Sequence, residues 1–149
     1  MKKLSLIIAL FLSVGIYAQY VDLGLPSGNL WKTVNEDGYY DFPTANATFQ
    51  DALPCYGDWK ELTEKCKWEW TGDGYNIIGP NGNRMYLPAA GGQACNGDWY
   101  DPGLIGNYWT SSHGENGFGW QFTMLADNDM SVGLDFTYNH SSVRLIRTR

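Results

Sequence analysis

Apolar and polar positions alternate near the start of the chain, at residues 20–25, and predict its first β-strand. Residues 20–25 read Tyr-Val-Asp-Leu-Gly-Leu, and Pro-Ser-Gly-Asn at 26–29 supplies turn residues before Leu30 and Trp31. Alternation over a few residues is typical of a half-buried strand, and a turn between two such runs is typical of a hairpin. The pattern therefore predicts a strand pair at the start of the folded part.

A first short helix is predicted from Thr44, which follows a proline and is a candidate N-cap. This placement puts Phe49 and Leu53 four residues apart, on one face of the helix.

A second helix is predicted from Asp58 to Lys67. Trp59, Leu62 and Cys66 fall at positions i, i+3 and i+7, so they form one apolar stripe that faces a core. Asp58 and the glutamate three residues later have the spacing of a capping box, which places the helix start at Asp58.

Beyond Trp70 the pattern changes to short runs that are rich in aromatic and β-branched residues, separated by Gly, Asn and Asp turns. The predicted strands are 75–78, 84–87, 108–111, 119–124, 131–136 and 142–146. With helices early and strands late, the sequence predicts an α+β fold: two short helices on one side of a mostly antiparallel, irregular sheet.

Composition and charge narrow the class of protein. The chain has 149 residues, of which 44% are hydrophobic, so residues 19–149 are predicted to form a single globular domain. The formal net charge is −6, which disfavours a nucleic-acid binder because such proteins depend on clustered Lys and Arg. No nucleic-acid partner is therefore expected.

The first 18 residues are predicted to be a signal peptide. Two lysines, Lys2 and Lys3, precede an apolar run from Leu4 to Ile16, and Ala18 is the small residue before the expected cleavage site. The run is shorter than the roughly 20 residues that a membrane-spanning helix needs, so a retained anchor is the less favoured alternative. The protein is expected to be exported to the periplasm, the cell surface or the medium, with no membrane span after cleavage.

Three cysteines remain after the predicted cleavage: Cys55, Cys66 and Cys95. In an oxidising compartment an odd number permits one bridge and leaves one thiol. A bridge between Cys55 and Cys66 is disfavoured because a helix would hold them too far apart. The alternatives of another bridge and of three small buried side chains stay open.

No catalytic motif is found, so the chain is predicted not to be an enzyme. Ser112-His113 lacks the glycine spacing of a nucleophile elbow, and no Walker loop, dinucleotide fingerprint or zinc spacing occurs. Asp127 and Asp129, either side of an asparagine, are candidate calcium ligands. A solvated hairpin tip is the favoured interpretation of that segment, because Asp and Asn are typical turn residues.

Several aromatic residues are predicted to serve as core rather than as ligand contacts, namely Trp31, Trp68, Trp70, Trp109 and Trp120. The run Trp99-Tyr100-Asp101, between a glycine and a proline, is instead a candidate aromatic platform on a loop, with a core role for one of its rings as the alternative. Arg144 lies in a late apolar run, and we expect it in a structural ion pair or on the surface.

The order of short motifs resembles the Fibrobacter succinogenes major paralogous domain family, which is related to the C-type lectin-like superfamily. The carriers of the resemblance are residues 20–28 with Trp31, Trp59-Lys60-Glu61-Leu62, residues 66–70, Asn81-Gly82-Asn83, residues 87–91, residues 106–112 and Ser142-Val143-Arg144. The resemblance implies a compact C-type lectin-like fold in an exported Bacteroidetes-type protein without an assigned enzymatic activity. The calcium-and-sugar motifs of true C-type lectins are missing, since Gly79 precedes Pro80-Asn81.

The sequence thus favours an exported, non-enzymatic recognition module that binds a glycan or an extracellular protein without a cofactor. Polar or amphipathic residues in turn-rich segments of the C-terminal half are the candidate ligand-binding residues: Trp99, Tyr100, Asp101, His113, Glu115, Asn116, Asp127, Asp129, Tyr138 and His140. A polysaccharide-acting hydrolase with dispersed carboxylates and a subunit of a cell-surface assembly are the alternatives.

Overall fold

The computed structural model describes residues 19–149, and the predicted signal peptide lies outside them. Two short helices, α1 (Phe42–Phe49) and α2 (Tyr56–Lys65), flank a turn of 3-10 helix at Gln50–Ala52. The strands are β1 (Tyr20–Asp22), β2 (Leu30–Lys32), β3 (Lys67–Trp70), β4 (Gly74–Ile78), β5 (Arg84–Pro88), β6 (Gly92–Gln93), β7 (Trp99–Tyr100), β8 (Gly106–His113), β9 (Phe118–Met124), β10 (Met130–Phe136), β11 (His140–Ser141) and β12 (Ile146–Arg147).

These strands form small antiparallel sheets of three strands each, in the orders β1-β2-β12, β3-β4-β5, β10-β9-β8 and β11-β6-β7. The predicted α+β class, the two early helices and the N-terminal strand pair are confirmed. In that pair Val21 lies opposite Trp31, and β12 adds the end of the chain to the same sheet.

The two helices pack on opposite faces of the β10-β9-β8 sheet, so the prediction that both lie on one side is wrong. From α2, Trp59 stacks on Phe122 with ring centroids 4.4 Å apart. From α1, Phe42 covers Gly119 and meets Trp109 edge-on at 5.2 Å. Because side chains alternate along β9, residues 119 and 122 point to opposite faces. Each face thus has its own apolar cluster.

Both helices begin earlier than predicted, and each has a different cap. Asp41, not Thr44, caps α1, since its carboxylate accepts a hydrogen bond from the Thr44 N–H at 2.9 Å. For α2 the N-cap is Cys55, and the Asp58 carboxylate accepts from the Cys55 N–H at 2.8 Å. Asp58 is therefore the third residue of the helix and not its N-cap, and its side chain reaches back to the backbone N–H of the N-cap residue.

The predicted strand at 142–146 is also wrong in most of its length. Residues 142–145 are buried but irregular, and regular pairing resumes only at β12. Arg144 is 1% exposed and donates to Asn35 Oδ1, to the Lys32 carbonyl and to the Tyr86 carbonyl. Its guanidinium thus lies neither on the surface nor in an ion pair, because neutral oxygens of three separate segments take its N–H groups.

All three cysteines lie in the described part of the chain and carry free thiols. Cys55 and Cys95 are exposed and Cys66 is half-buried, so the interpretation as three buried side chains is wrong. Among the predicted core tryptophans, Trp31, Trp68 and Trp109 are buried, whereas Trp70 and Trp120 are half-buried.

Candidate functional site

The face of the β10-β9-β8 sheet that carries α1 at one end is polar at its other end. Along β9, Phe122 and Met124 point into the core, while Gln121 and Thr123 point to the opposite face. Asn107 on β8 lies directly opposite Thr123 and therefore shares the polar face. Gln121 and Asn107 are only 6% and 8% exposed, so these two side chains lie at the buried floor of the patch.

A chain of hydrogen bonds fixes these side chains. Gln121 Nε2 donates to Asp135 Oδ2 at 3.0 Å and to Ser141 Oγ at 2.6 Å. The Thr123 hydroxyl lies 3.1 Å from Asn107 Oδ1 and 3.2 Å from Gln121 Oε1, and its single hydrogen can be donated to only one of these two oxygens. These hydrogen bonds restrict the rotamers of the side chains before any ligand arrives.

The β11-β6-β7 sheet forms one wall beside this polar patch. Gly92 lies so close to Asn107 Nδ2 and to the Tyr100 ring that a Cβ there would come within 3.1 and 3.3 Å of them. Tyr100 stands at the rim with 38% of its surface exposed. Partial burial and then the negative charge of Asp135 raise the pKa of the Tyr100 phenol, so this hydroxyl stays protonated at neutral pH.

Gly133 leaves the opposite wall open. It lies across from Gln121 in the sheet, and a Cβ at this position would meet no atom within 4 Å. The resulting cleft has a volume of about 330 Å³ and is lined by Tyr100, Ile105, Asn107, Gln121, Thr123, Leu134 and Asp135. This volume is at the lower end of the range, about 300–1,000 Å³, that is typical of small-ligand sites.

The cleft keeps polar groups that the protein itself does not use. Among the residues that the structure describes, no acceptor takes the two N–H groups of Asn107 Nδ2, although Asn107 Oδ1 is engaged by Thr123. The Tyr100 hydroxyl likewise has no partner in residues 19–149 and lies at the same opening. A ligand could therefore be held by donors that are already oriented.

Of the ten residues that the sequence predicted for binding, the structure places one, Tyr100, in the lining of this cleft. Trp99 is 53% exposed and meets Tyr39 edge-on at 5.0 Å. Tyr138 stacks on Phe136 at 5.1 Å, and His140 lies in β11 with its Nδ1 buried and without a partner in the described residues. Since Trp99 and Tyr100 are both exposed, the alternative core role of one of these rings is wrong. These two residues form strand β7 rather than a loop, and Asp101 follows the strand.

Three other predicted residues, His113, Glu115 and Asn116, meet in a separate groove. The groove has a volume of about 500 Å³ and is floored by Phe118, Trp120 and Leu134. His113 packs edge-on against Phe42 at 5.1 Å, and Asn116 adopts a left-handed φ of 52° in the turn between β8 and β9. This arrangement is apolar at its base and has no fixed polar network.

Asp101, Asp127 and Asp129 line a third groove of about 470 Å³ together with Leu104, Ile105 and Leu125. Asp127 and Asn128 have φ values of 61° and 57°, and the Asp129 N–H donates to the Ala126 carbonyl at 3.3 Å. Two consecutive positive φ values define the tight hairpin turn that joins β9 to β10, so the predicted hairpin tip is confirmed. Within residues 19–149 no group of three or more His, Cys, Asp or Glu side chains is placed to hold a metal ion.

Sequence reasoning missed the floor of the cleft: Asn107, Gln121, Thr123 and Asp135. Polar residues that alternate with apolar ones on a strand are typical of a solvated face, so they gave no sign of enclosure. One available signal was Gly133, since a glycine inside a strand can mark a place where a ligand approaches the backbone, and a Cβ at Gly133 would meet no protein atom.

Comparisons of the chain with protein-family models, with curated proteins and with solved structures find no match. Within residues 19–149 no helix combines the length and the apolar character needed to cross a bilayer.

Proposed function

We propose that this chain is an exported, non-enzymatic recognition module that binds a glycan in the cleft beside Tyr100. One observation carries the proposal: a concave site whose floor is a fixed network of amides and hydroxyls opens beside a partly exposed aromatic ring. Sugars present hydroxyl groups at their edges and C–H groups on their ring faces. Oriented amides can hydrogen-bond to the hydroxyl groups, and an aromatic ring can pack against the C–H groups.

Preorganisation is the energetic reason for favouring this cleft over the other grooves. Gln121 is held by Asp135 and Ser141, and Asn107 is held by Thr123. A ligand then loses little of its binding free energy to the ordering of side chains. The groove at His113 and the groove at Asp101 depend on exposed side chains whose rotamers would have to be fixed on binding.

The resemblance to the major paralogous domain family, with its C-type lectin-like fold, belongs to this proposal and agrees with the α+β architecture. The proposed binding does not depend on calcium, because the cleft offers amide and hydroxyl groups that can bind sugar hydroxyls directly. Asp127 and Asp129 serve the hairpin turn in this interpretation.

A polysaccharide hydrolase is the less favoured alternative. Glycosidases need two carboxyl groups about 5–10 Å apart across the scissile bond. The lining of the cleft contains a single carboxylate, Asp135, and both of its oxygens already accept hydrogen bonds from the protein. A surface-assembly subunit would need association between copies or with a partner protein, which size-exclusion chromatography at high concentration tests.

A glycan array followed by calorimetry with the purified protein tests the proposal. We expect glycan binding that weakens at least tenfold in Tyr100→Ala, which removes the ring, and in Gly133→Leu, which fills the open wall. Tenfold corresponds to about 1.4 kcal/mol.

Matched controls exist for both variants. Tyr56 is also 38% exposed and lies outside the cleft, so Tyr56→Ala should bind normally. Asn76→Leu adds the same side chain to β4, in another sheet. Absence of any glycan binding, equal affinity in the variants and the wild type, or turnover of the glycan would contradict the proposal.

A further inference from the structure

The part of the chain that builds the cleft has no Lys or Arg. From Met85 to Val143 there is no Lys or Arg, whereas the acidic residues number six: Asp98, Asp101, Glu115, Asp127, Asp129 and Asp135. This stretch supplies every residue that lines the cleft. An anionic ligand would therefore enter a field of negative charge with no cation to receive it.

The carboxylate inside the cleft is already hydrogen-bonded within the protein. Asp135 Oδ1 accepts from the Phe136 N–H at 2.9 Å and from Asn139 Nδ2 at 3.0 Å, and Oδ2 accepts from Gln121. All three donors are neutral, so none of them compensates the negative charge. Asp135 thus repels anions, while its oxygens are already taken by the protein.

The groups that remain open at the floor are neutral. Asn107 Nδ2 offers two N–H groups, and the single hydrogen of the Thr123 hydroxyl leaves either Asn107 Oδ1 or Gln121 Oε1 as an open acceptor. The floor therefore matches neutral hydroxyl or acetamido groups, which can both donate and accept, and its lining has no cation to pair with an anionic group.

We infer that the cleft binds uncharged sugars and excludes anionic ones, with Asn107 donating to a neutral hydroxyl or acetamido oxygen. This inference rests on the proposed function and specifies its substrate class. Charge repulsion sets the discrimination against uronic and sulfated sugars.

One pair of probes tests the inference: trigalacturonic acid and its methyl ester, which share the sugar chain and differ in the charge and the added methyl groups of the carboxyls. Calorimetry at 0.15 M salt should show the methyl ester binding at least tenfold more tightly. The preference for the methyl ester should shrink at 0.5 M salt, because salt screens repulsion between charges.

A charge variant provides the matched comparison. Asp98→Asn removes one negative charge near Tyr100, and Asp51→Asn removes one from the 3-10 turn outside the cleft. We expect the first to reduce the preference for the methyl ester at least twofold and the second to leave it unchanged. Equal or tighter binding of the acid, lost in Tyr100→Ala, would overturn the inference and leave the proposed function standing. If neither probe and no arrayed glycan binds, the proposed function itself fails.

Discussion

Replacement of Arg144 should show how much hydrogen bonds between segments far apart in the sequence stabilise the fold. Its guanidinium donates to the Lys32 carbonyl at 2.9 Å, to Asn35 Oδ1 at 2.8 Å and to the Tyr86 carbonyl at 3.0 Å. These bonds join the end of β2, the loop that follows it and β5 to the C-terminal segment. We therefore expect Arg144→Met to destabilise the whole domain rather than one loop.

The magnitude follows from two opposing contributions. A hydrogen bond to a charged group contributes about 1.5–3 kcal/mol, so the three bonds together contribute about 5–9 kcal/mol. Burial of an unpaired cation offsets this by several kcal/mol, and methionine avoids that cost. Methionine, however, leaves the buried oxygens of Lys32, Asn35 and Tyr86 without a donor. We expect a net loss of about 2–5 kcal/mol in the free energy of unfolding.

Urea unfolding followed by tryptophan fluorescence measures this loss. Arg84→Met is the control, because Arg84 is exposed and its replacement should change stability by less than about 0.5 kcal/mol. Arg144→Lys should also be destabilised by at least about 1 kcal/mol, since one ammonium group cannot reproduce the forked geometry of three donors. An Arg144→Met protein as stable as the wild type would refute this reasoning.

Three further predictions concern backbone packing, a helix cap and a thiol. Gly79→Ala should lower the free energy of unfolding by about 1–3 kcal/mol in urea titration, because a Cβ there would overlap the Leu23 carbonyl. The control Gly133→Ala adds a Cβ in open space and should leave the free energy of unfolding unchanged. Equal losses in the two variants would contradict this prediction. Asp41→Ala should cost about 1 kcal/mol in thermal unfolding by loss of the cap, and Thr44→Ala should not. Burial raises the pKa of the Cys66 thiol to about 11 from an ordinary value of 9.0, so the folded state holds its proton more tightly than the unfolded state. Stability should therefore fall between about pH 9 and 11, less so in Cys66→Ala, and a flat profile in the wild type would contradict it.

The regular strands could be predicted because their signal is local. Residues 119–124 alternate in a way that needs no knowledge of the rest of the chain, and they form most of β9. The helix starts were missed for a different reason. Asp41 stands ahead of Phe42-Pro43, and an acidic cap followed by a proline in the first turn is a recognisable signature of a helix start. Cys55 at the start of α2 is not a typical N-cap, so only the reach of Asp58 identifies it.

The burial of Arg144 and the existence of the cleft depend on long-range contacts that no local pattern contains. On sequence evidence Gln121 and Thr123 belong to a solvated strand face, and they would be solvated if the sheet stood alone. They become the floor of a cleft because β7 and β11, strands of two residues each, pair with β6 and cover that face. Such short strands have no periodicity to read. The pattern to examine for a binding cleft in this kind of fold is therefore a polar residue on the outward face of a strand that pairs with a glycine on the neighbouring strand. Gln121, which pairs with Gly133, is the example here.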